Sequence, residues 1–275
     1  MNSIQQKCVV ITGSTRGIGL GLAKAFLNLG WSVVISARNS ERLQHTMAQL
    51  AAQFDDRILA GYCCDMTQKS QVQQLWNTSV QQFGHIDVWI NNAGSCHPTT
   101  AFADLSSEEL YQVINTNILG TMLGSQVALQ GMLQQGYGQI FNMEGWGSRG
   151  EWSAGMTAYS TTKRAVSYFS QGLYKENKHG KILIGTLSPG MVATDLLISS
   201  WKNGNHENWR RMKRLFNFVI DPPDVVCTYL AQQIHHNQKN NRRIVWMTPW
   251  RLLLRFFQPY YWRRNAVKGT ALDDL

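Results

Sequence analysis

The stretch Cys8-Val9-Val10-Ile11-Thr12-Gly13-Ser14-Thr15-Arg16-Gly17-Ile18-Gly19 decides the fold. A short β-branched apolar run meets a glycine turn, and Leu22, Ala25, Phe26 and Leu29 follow at helical spacing as far as Gly30. Strand, glycine turn and helix together bring backbone close to a pyrophosphate and aim free N–H groups and the helix dipole at an anion. The same glycines would also serve a tight turn with no ligand, so the rest of the chain must discriminate.

Further apolar runs follow at Ser32 to Ala37, Ile58 to Cys63, Val88 to Asn91, Gln139 to Met143, Ile182 to Leu187 and Arg243 to Met247, with amphipathic segments between most neighbours. This alternation predicts an α/β fold: a single-domain, doubly wound Rossmann arrangement with a parallel seven-stranded sheet over residues 1–248. A chain of 275 residues with 44% hydrophobic content can bury one substantial core. The five scattered cysteines have neither metal-ligand spacing nor the look of a secreted disulfide framework, so no metal and a reducing compartment are expected. The first strand begins within ten residues of Met1, which suggests no leader peptide and a protein that is not secreted.

Ala158-Tyr159-Ser160-Thr161-Thr162-Lys163 sets a phenol and an ammonium four residues apart, on one face of a helix. A nearby cation favours ionisation of a phenol whose free pKa is about 10, so the pair suits general acid work on a carbonyl. Together with Thr12 to Gly19, Asn91-Asn92-Ala93-Gly94, Asn117-Ile118-Leu119-Gly120 and Pro189-Gly190, it completes five motifs in one order. In them the sequence resembles the short-chain dehydrogenase/reductase family, from about Lys7 to about Thr248.

The resemblance implies that Tyr159 donates a proton to the substrate oxygen, that Lys163 holds the nicotinamide ribose and lowers the phenol's pKa, and that Asn117 anchors a water relay. It also implies a cofactor held by Gly13, Ser14, Thr15, Arg16, Gly17, Ile18 and Gly19, by Arg38 and Asn39, by Asp65 and Met66, by Asn91, Ala93 and Gly94, and by Pro189, Gly190, Val192 and Thr194, besides Tyr159 and Lys163. Asp65 would equally serve as a helix N-terminal residue before Thr67. At the end of the second strand, Ser36-Ala37-Arg38-Asn39 carries no acid, and Arg16 lies in the glycine turn. Two arginines there favour the 2′-phosphate of NADP(H) over a 2′-hydroxyl, unless both are merely solvated.

Members of the family carry a serine about thirteen residues before the tyrosine. Here Asn142-Met143-Glu144-Gly145-Trp146-Gly147-Ser148 offers glycine or tryptophan at that place, and Ser148 is the nearest hydroxyl able to take the role. This loop is similar to that of chlorophyll b reductases, which reduce the 7-formyl group of chlorophyll b with NADPH, except that Trp146 stands where a small residue is usual. Glu144, Trp146, His97 and Trp201 are expected to line the substrate site.

Residues 1–200 hold 13 Lys and Arg against 12 Asp and Glu, whereas residues 201–275 hold 13 against 5. Basic and aromatic residues interleave from Trp209 to Phe216 and from Trp250 to Arg264. That mixture predicts a basic aromatic C-terminal extension (249–275) lying on an anionic membrane surface, or else packing on its own subunit. It also predicts a substrate-covering lid over about 195–220. No other feature points to nucleic acid. The leading expectation is an NADPH-dependent reductase of a bulky hydrophobic aldehyde or ketone, most plausibly the formyl group of chlorophyll b. It would be a homodimer or homotetramer, cytoplasmic or peripheral on a membrane, which would be the thylakoid for the chlorophyll substrate. The alternatives are a membrane-associated ketoreductase of lipid or isoprenoid substrates and a non-catalytic NADPH-binding scaffold or redox sensor.

Overall fold

The computed structural model describes residues 6–194 and 216–266. Its main sheet has seven strands: β1 (Cys8–Ile11), β2 (Ser32–Ala37), β3 (Leu59–Cys63), β4 (Val88–Asn91), β5 (Gly138–Met143), β6 (Ile182–Ser188) and β9 (Arg242–Val245). They run in the order β3-β2-β1-β4-β5-β6-β9, and every pairing is parallel. The chain moves outward from β1 to β3 and then returns to build the other half from β4. A crevice therefore opens between β1 and β4 at the strand C-termini, where ligands of open α/β sheets bind. The α/β expectation holds, with every strand end within two residues of that read in the sequence.

Strand alternation divides the core between two faces. Val9, Ile11, Val33 and Ile35 pack with α1 (Gly17–Asn28) and α7 (Pro223–His235), through Leu22, Phe26, Leu230 and Ile234. Val10, Val34, Trp89 and Ile140 face α3 (Lys69–Phe83) and α5 (Gly120–Gln135), meeting Trp76, Val127 and Met132. On this second face α4 (Ser107–Ile114) runs through a π-helical segment, Asn115–Leu119, into α5, and α6 (Thr157–Glu176) packs beside β6. The helix α2 (Ser40–Ala51) lies between β2 and β3.

A short second ladder pairs β7 (Met191–Val192) with β8 (Ile220–Asp221). Asp221 gathers the segment from Trp246 to Arg264. Its buried carboxylate accepts hydrogen bonds from Trp246 Nε1 at 2.7 Å, Arg255 Nη2 at 2.6 Å and Arg264 Nη1 at 3.3 Å. Arg255 also donates to Phe218 O, and Arg264 to Asn217 O and Ile220 O. Arg251 stacks over the Trp246 ring at 3.9 Å. These contacts fix α8 (Pro249–Phe256) and α9 (Pro259–Arg263) to the body of the protein.

This corrects the expectation that the tail's arginines face lipid. Arg251, Arg255 and Arg264 turn inward, and Trp250, Leu253, Leu254, Phe257, Tyr260 and Trp262 are exposed instead. Trp246 is committed to Asp221, and β9 ends at Val245 rather than Met247. Among the described residues no helix is long and apolar enough to cross a membrane. The expected lid, with Trp201 and most of the stretch from Trp209 to Phe216, lies outside the described residues, as do residues 267–275.

Removing one partner of a buried ion pair strands the other charge, which typically costs about 3–5 kcal/mol. Urea unfolding of Asp221→Ala should show a loss of that order, because Arg255 is as buried as Asp221. The exposed Arg263 serves as a control, and Arg263→Ala should stay within about 0.5 kcal/mol of the parent.

Candidate active site

The glycine turn is held from below. Ser14 Oγ donates to Ile11 O at 2.6 Å and accepts from Ser36 N at 2.9 Å. Asn92 Nδ2 donates to the carbonyls of Thr12 and Gly13. Gly17 has φ +54, and a Cβ there would lie 3.2 Å from Thr194 Cγ2. The turn therefore touches the segment after β7, as a site spanning the crevice requires. The helix α1 begins after Arg16 with no side-chain cap and no acid in its first turn. Its first N–H groups are left to an anion, and a dinucleotide pyrophosphate fits the place.

Several expected cofactor residues use their side chains elsewhere. Ser14 is the brace just described, and Ile18 packs against the core. Asn39 Oδ1 caps α2 by accepting from Arg42 N at 2.7 Å. Asp65 Oδ1 accepts from both Thr67 N and Thr67 Oγ1 at 2.9 Å, the helix-terminal role the sequence left open. Met66 and Val192 are buried in the core. Asn91 is consumed by Trp89, Ser125 and Asn142. These seven side chains are committed within the protein, which leaves their backbone to meet a ligand. Arg16 and Arg38 are exposed, Thr15 is half-buried, and Ala93 and Gly94 line the approach from β4. A Cβ on Gly94 would sit 3.3 Å from Asn117 Oδ1 and 3.7 Å from Lys163 Nζ. Gly190, after Pro189, turns the chain out of β6 with φ +72.

Tyr159 and Lys163 lie in the first turns of α6 and are both buried. Lys163 Nζ is 5.8 Å from the Tyr159 ring centre and donates to Met143 O at 3.2 Å. The sequence led us to expect a phenol made more acidic by this cation, and the structure corrects that. Burial, with a smaller contribution from Cys96, pushes the Tyr159 pKa up, and burial also lowers Lys163 to about 8. Tyr159 is thus held protonated, as a proton donor must be at the start of its step. Asn117 is wholly buried, its Oδ1 accepting from Ser95 N and its Nδ2 donating to Ser95 O and Thr162 Oγ1. With its amide so committed, any water relay at Asn117 falls to its backbone.

The loop after β5 supplies the site's far wall. A Cβ on Gly145 would lie 2.5 Å from Tyr159 Oη and 3.1 Å from Lys163 Cε, so no side chain fits opposite the phenol. Ser148 does not fill the gap. Its hydroxyl accepts from Gly145 N at 3.0 Å and donates to Lys163 O at 3.3 Å, bracing the loop from beneath. Glu144 is likewise turned away from any substrate oxygen, into a 2.7 Å ion pair with Arg243. Trp146 is 43% exposed.

His97 is buried rather than facing a substrate. Its Nδ1 lies 2.7 Å from Pro98 O, so that nitrogen carries the proton and Nε2 is bare. Nε2 accepts from Tyr159 N at 3.4 Å. Met156, at the start of α6, has no capping side chain, so His97 satisfies one of the orphan N–H groups of that helix end. Thr162 and Asn92 stand within the motifs quoted from the sequence, but their side chains take roles it did not assign them. Thr162 lies three residues after Tyr159, so its hydroxyl reaches back to Tyr159 O at 2.7 Å, a signal visible in hindsight.

Residues 7–205 match the family model described as short chain dehydrogenase. Chlorophyll(ide) b reductase NOL of Arabidopsis thaliana is 38% identical over 231 residues, 82% of this chain and 64% of the relative. The probable chlorophyll(ide) b reductase NYC1 of Oryza sativa subsp. japonica is 34% identical over 262 residues, 90% of this chain and 51% of the relative. The chain thus spans about half to two thirds of these chloroplastic relatives. Among solved structures, a variant of actinorhodin polyketide ketoreductase with NADPH superposes with TM-score 0.77 at 26% identity, over 89% of this chain and 97% of the other. ElxO with NADP bound gives 0.73 at 26%, over 87% and 96%.

Gly145→Ser should force Tyr159 out of place and lower turnover by about 10²- to 10⁴-fold, the usual worth of a positioned acid, as measured in single-turnover assays. At His97, turnover should fall by about fivefold in His97→Ala, as expected for losing a helix-end partner worth ~1 kcal/mol. His97→Gln should recover part of it, since an amide oxygen can again accept from Tyr159 N.

Proposed function

The chain belongs to the short chain dehydrogenase family, and from that premise we propose that it uses NADPH to reduce the carbonyl of a bulky hydrophobic aldehyde or ketone. The relatives favour the 7-formyl group of chlorophyll b as that carbonyl. The observation that carries this reading is the wall at Gly145. The loop that resembles that of the chlorophyll b reductases packs bare backbone against the Tyr159 hydroxyl, where a Cβ would lie only 2.5 Å away, so glycine is the residue this loop requires there. An exposed indole at Trp146 offers the substrate's ring system a flat partner.

The cofactor supplies the hydride when bound. The chain's own residues do the rest. The glycine turn and the start of α1 hold the pyrophosphate, and Arg16 and Arg38 favour a 2′-phosphate, with no acid at the end of β2 to oppose it. Lys163 holds the nicotinamide ribose and keeps a positive charge beside the reacting oxygen. Tyr159 delivers the proton to that oxygen, its backbone steadied by His97 and Thr162. Orientation of the two reactants contributes the larger part of the acceleration.

A second reading, a ketoreductase of lipid or isoprenoid substrates, is favoured by the outward apolar face of α8 and α9. That face suits a headgroup-depth seat on a membrane, so peripheral attachment belongs to both readings. The displaced serine motivates the non-catalytic scaffold, against which the fully assembled Tyr159, Lys163 and Asn117 stand. A homodimer or homotetramer fits either enzyme.

Purified protein with NADPH and detergent-dispersed chlorophyll b should convert the formyl pigment to the hydroxymethyl form, seen as a shift in its absorption spectrum and absent in Tyr159→Phe. Consumption of lipophilic ketones alone would favour the second reading, and cofactor binding without consumption of any carbonyl would favour the scaffold. The pH profile carries a sign. Lys163 has its pKa lowered to about 8, so its charge is complete below that and lost as pH rises through it. Accordingly kcat/KM should fall above pH 8, well before a free lysine at about 10.4 would titrate.

A further inference from the structure

One side chain from the edge strand β9 reaches across the ends of β6 and β5. Arg243 Nη2 donates to Ser188 Oγ at 3.1 Å, at the end of β6, and Arg243 Nε donates to Glu144 Oε2 at 2.7 Å, in the loop after β5. Glu144 is buried and stands in the middle of the site's wall. On one side of it is Met143, whose carbonyl accepts from Lys163 Nζ at 3.2 Å. On the other is Gly145, packed against the Tyr159 hydroxyl.

The sheet does not need this clamp. Strands β5, β6 and β9 are paired through their backbones, and Glu144 N donates to Leu187 O at 2.8 Å. A buried ion pair is also no better a source of stability than apolar residues of similar volume. What the pair adds is charge. Among the described residues, the titratable groups that bear on the Lys163 ammonium are Tyr159 from its own helix, Cys96 from the loop after β4 and Glu144. Burial holds Tyr159 protonated and pushes the Cys96 thiol up to about 11. Near neutral pH the anion acting on the lysine is therefore Glu144. Behind it stand Arg243 as its partner, Arg149 and Arg164 along the same groove, and Glu151, whose carboxylate acts on Arg243.

We propose that Glu144, oriented by Arg243, is a positioning residue whose carboxylate holds the Lys163 side chain as an ammonium on Met143 O, beside the phenol it serves. This rests on the reading of Tyr159 and Lys163 as the catalytic pair and adds the group that maintains it.

The test reads the titration of Lys163 directly, by competitive acetylation with acetic anhydride across pH and mass spectrometry of the Lys163 peptide, in the full chain without cofactor or substrate. In the parent the ammonium, lowered to about 8, is complete below that pH and lost above it. Glu144→Gln keeps an acceptor for Arg243 but leaves its cation unneutralised, so the midpoint should move about half a unit to lower pH. In the double variant Glu144→Gln, Arg243→Gln both charges are gone, and the midpoint should fall between those of the single variant and the parent. The alkaline limb of kcat/KM should follow the same order. One midpoint common to all three proteins overturns the proposal, and so does a midpoint that tracks the melting temperature instead of the charge. Because acetylation needs no carbonyl, an unmoved midpoint counts against Glu144 alone, whereas a parent that reduces no carbonyl counts against the catalytic reading.

Discussion

The Asn117 side chain joins three segments distant in the chain, and the catalytic geometry hangs from it. One amide takes up both backbone groups of Ser95, in the loop after β4, and the hydroxyl of Thr162 in α6. Being wholly buried, it has no water to turn to, so each bond left unmade would cost the full desolvation of its partner. Thr162 passes the constraint to the backbone of Tyr159, and the loop from Ser95 passes it to the same residue through His97. The phenol is thereby fixed by its main chain from two sides, and the side chain needs no partner of its own before a substrate arrives.

The parallel sheet was legible because parallel strands buried on both faces read as near-continuous apolar runs, and Cys8 to Ile11 and Ile182 to Leu187 are of that kind. The motif residues were legible as types and in part misread as to role. Asn39, Asp65 and Asn91 carry short polar side chains that serve equally at a cap, a turn or a buried network; the first two went to nearby backbone N–H groups and Asn91 to a buried network of side chains. The pKa of Tyr159 was misjudged for a different reason. Sequence shows which charge neighbours a phenol but not how dry the place is, and here desolvation outweighs the cation. Ser148 was chosen for its chemistry, whereas Gly145 mattered for the absence of any, which only packing reveals.

The C-terminal arm shows the same ambiguity at larger scale. Interleaved arginine and aromatic residues are compatible with either group facing outward, and composition cannot choose. A single buried carboxylate, Asp221, decides it by drawing Arg255 and Arg264 inward, and the apolar face of the arm is what remains for the surroundings.

Asp221 also sets an order of events. Its carboxylate is committed to Arg255 and Arg264, which the ribosome adds 34 and 43 residues later. Until then the nascent chain carries an acid destined for the interior with no cation to meet it, while β6, its neighbour β9 and the ladder of β7 and β8 are already synthesised. The parallel sheet can assemble as it emerges, but the region around β8 closes only after Arg264 is in place, which makes synthesis of the C-terminal arm part of how this protein folds.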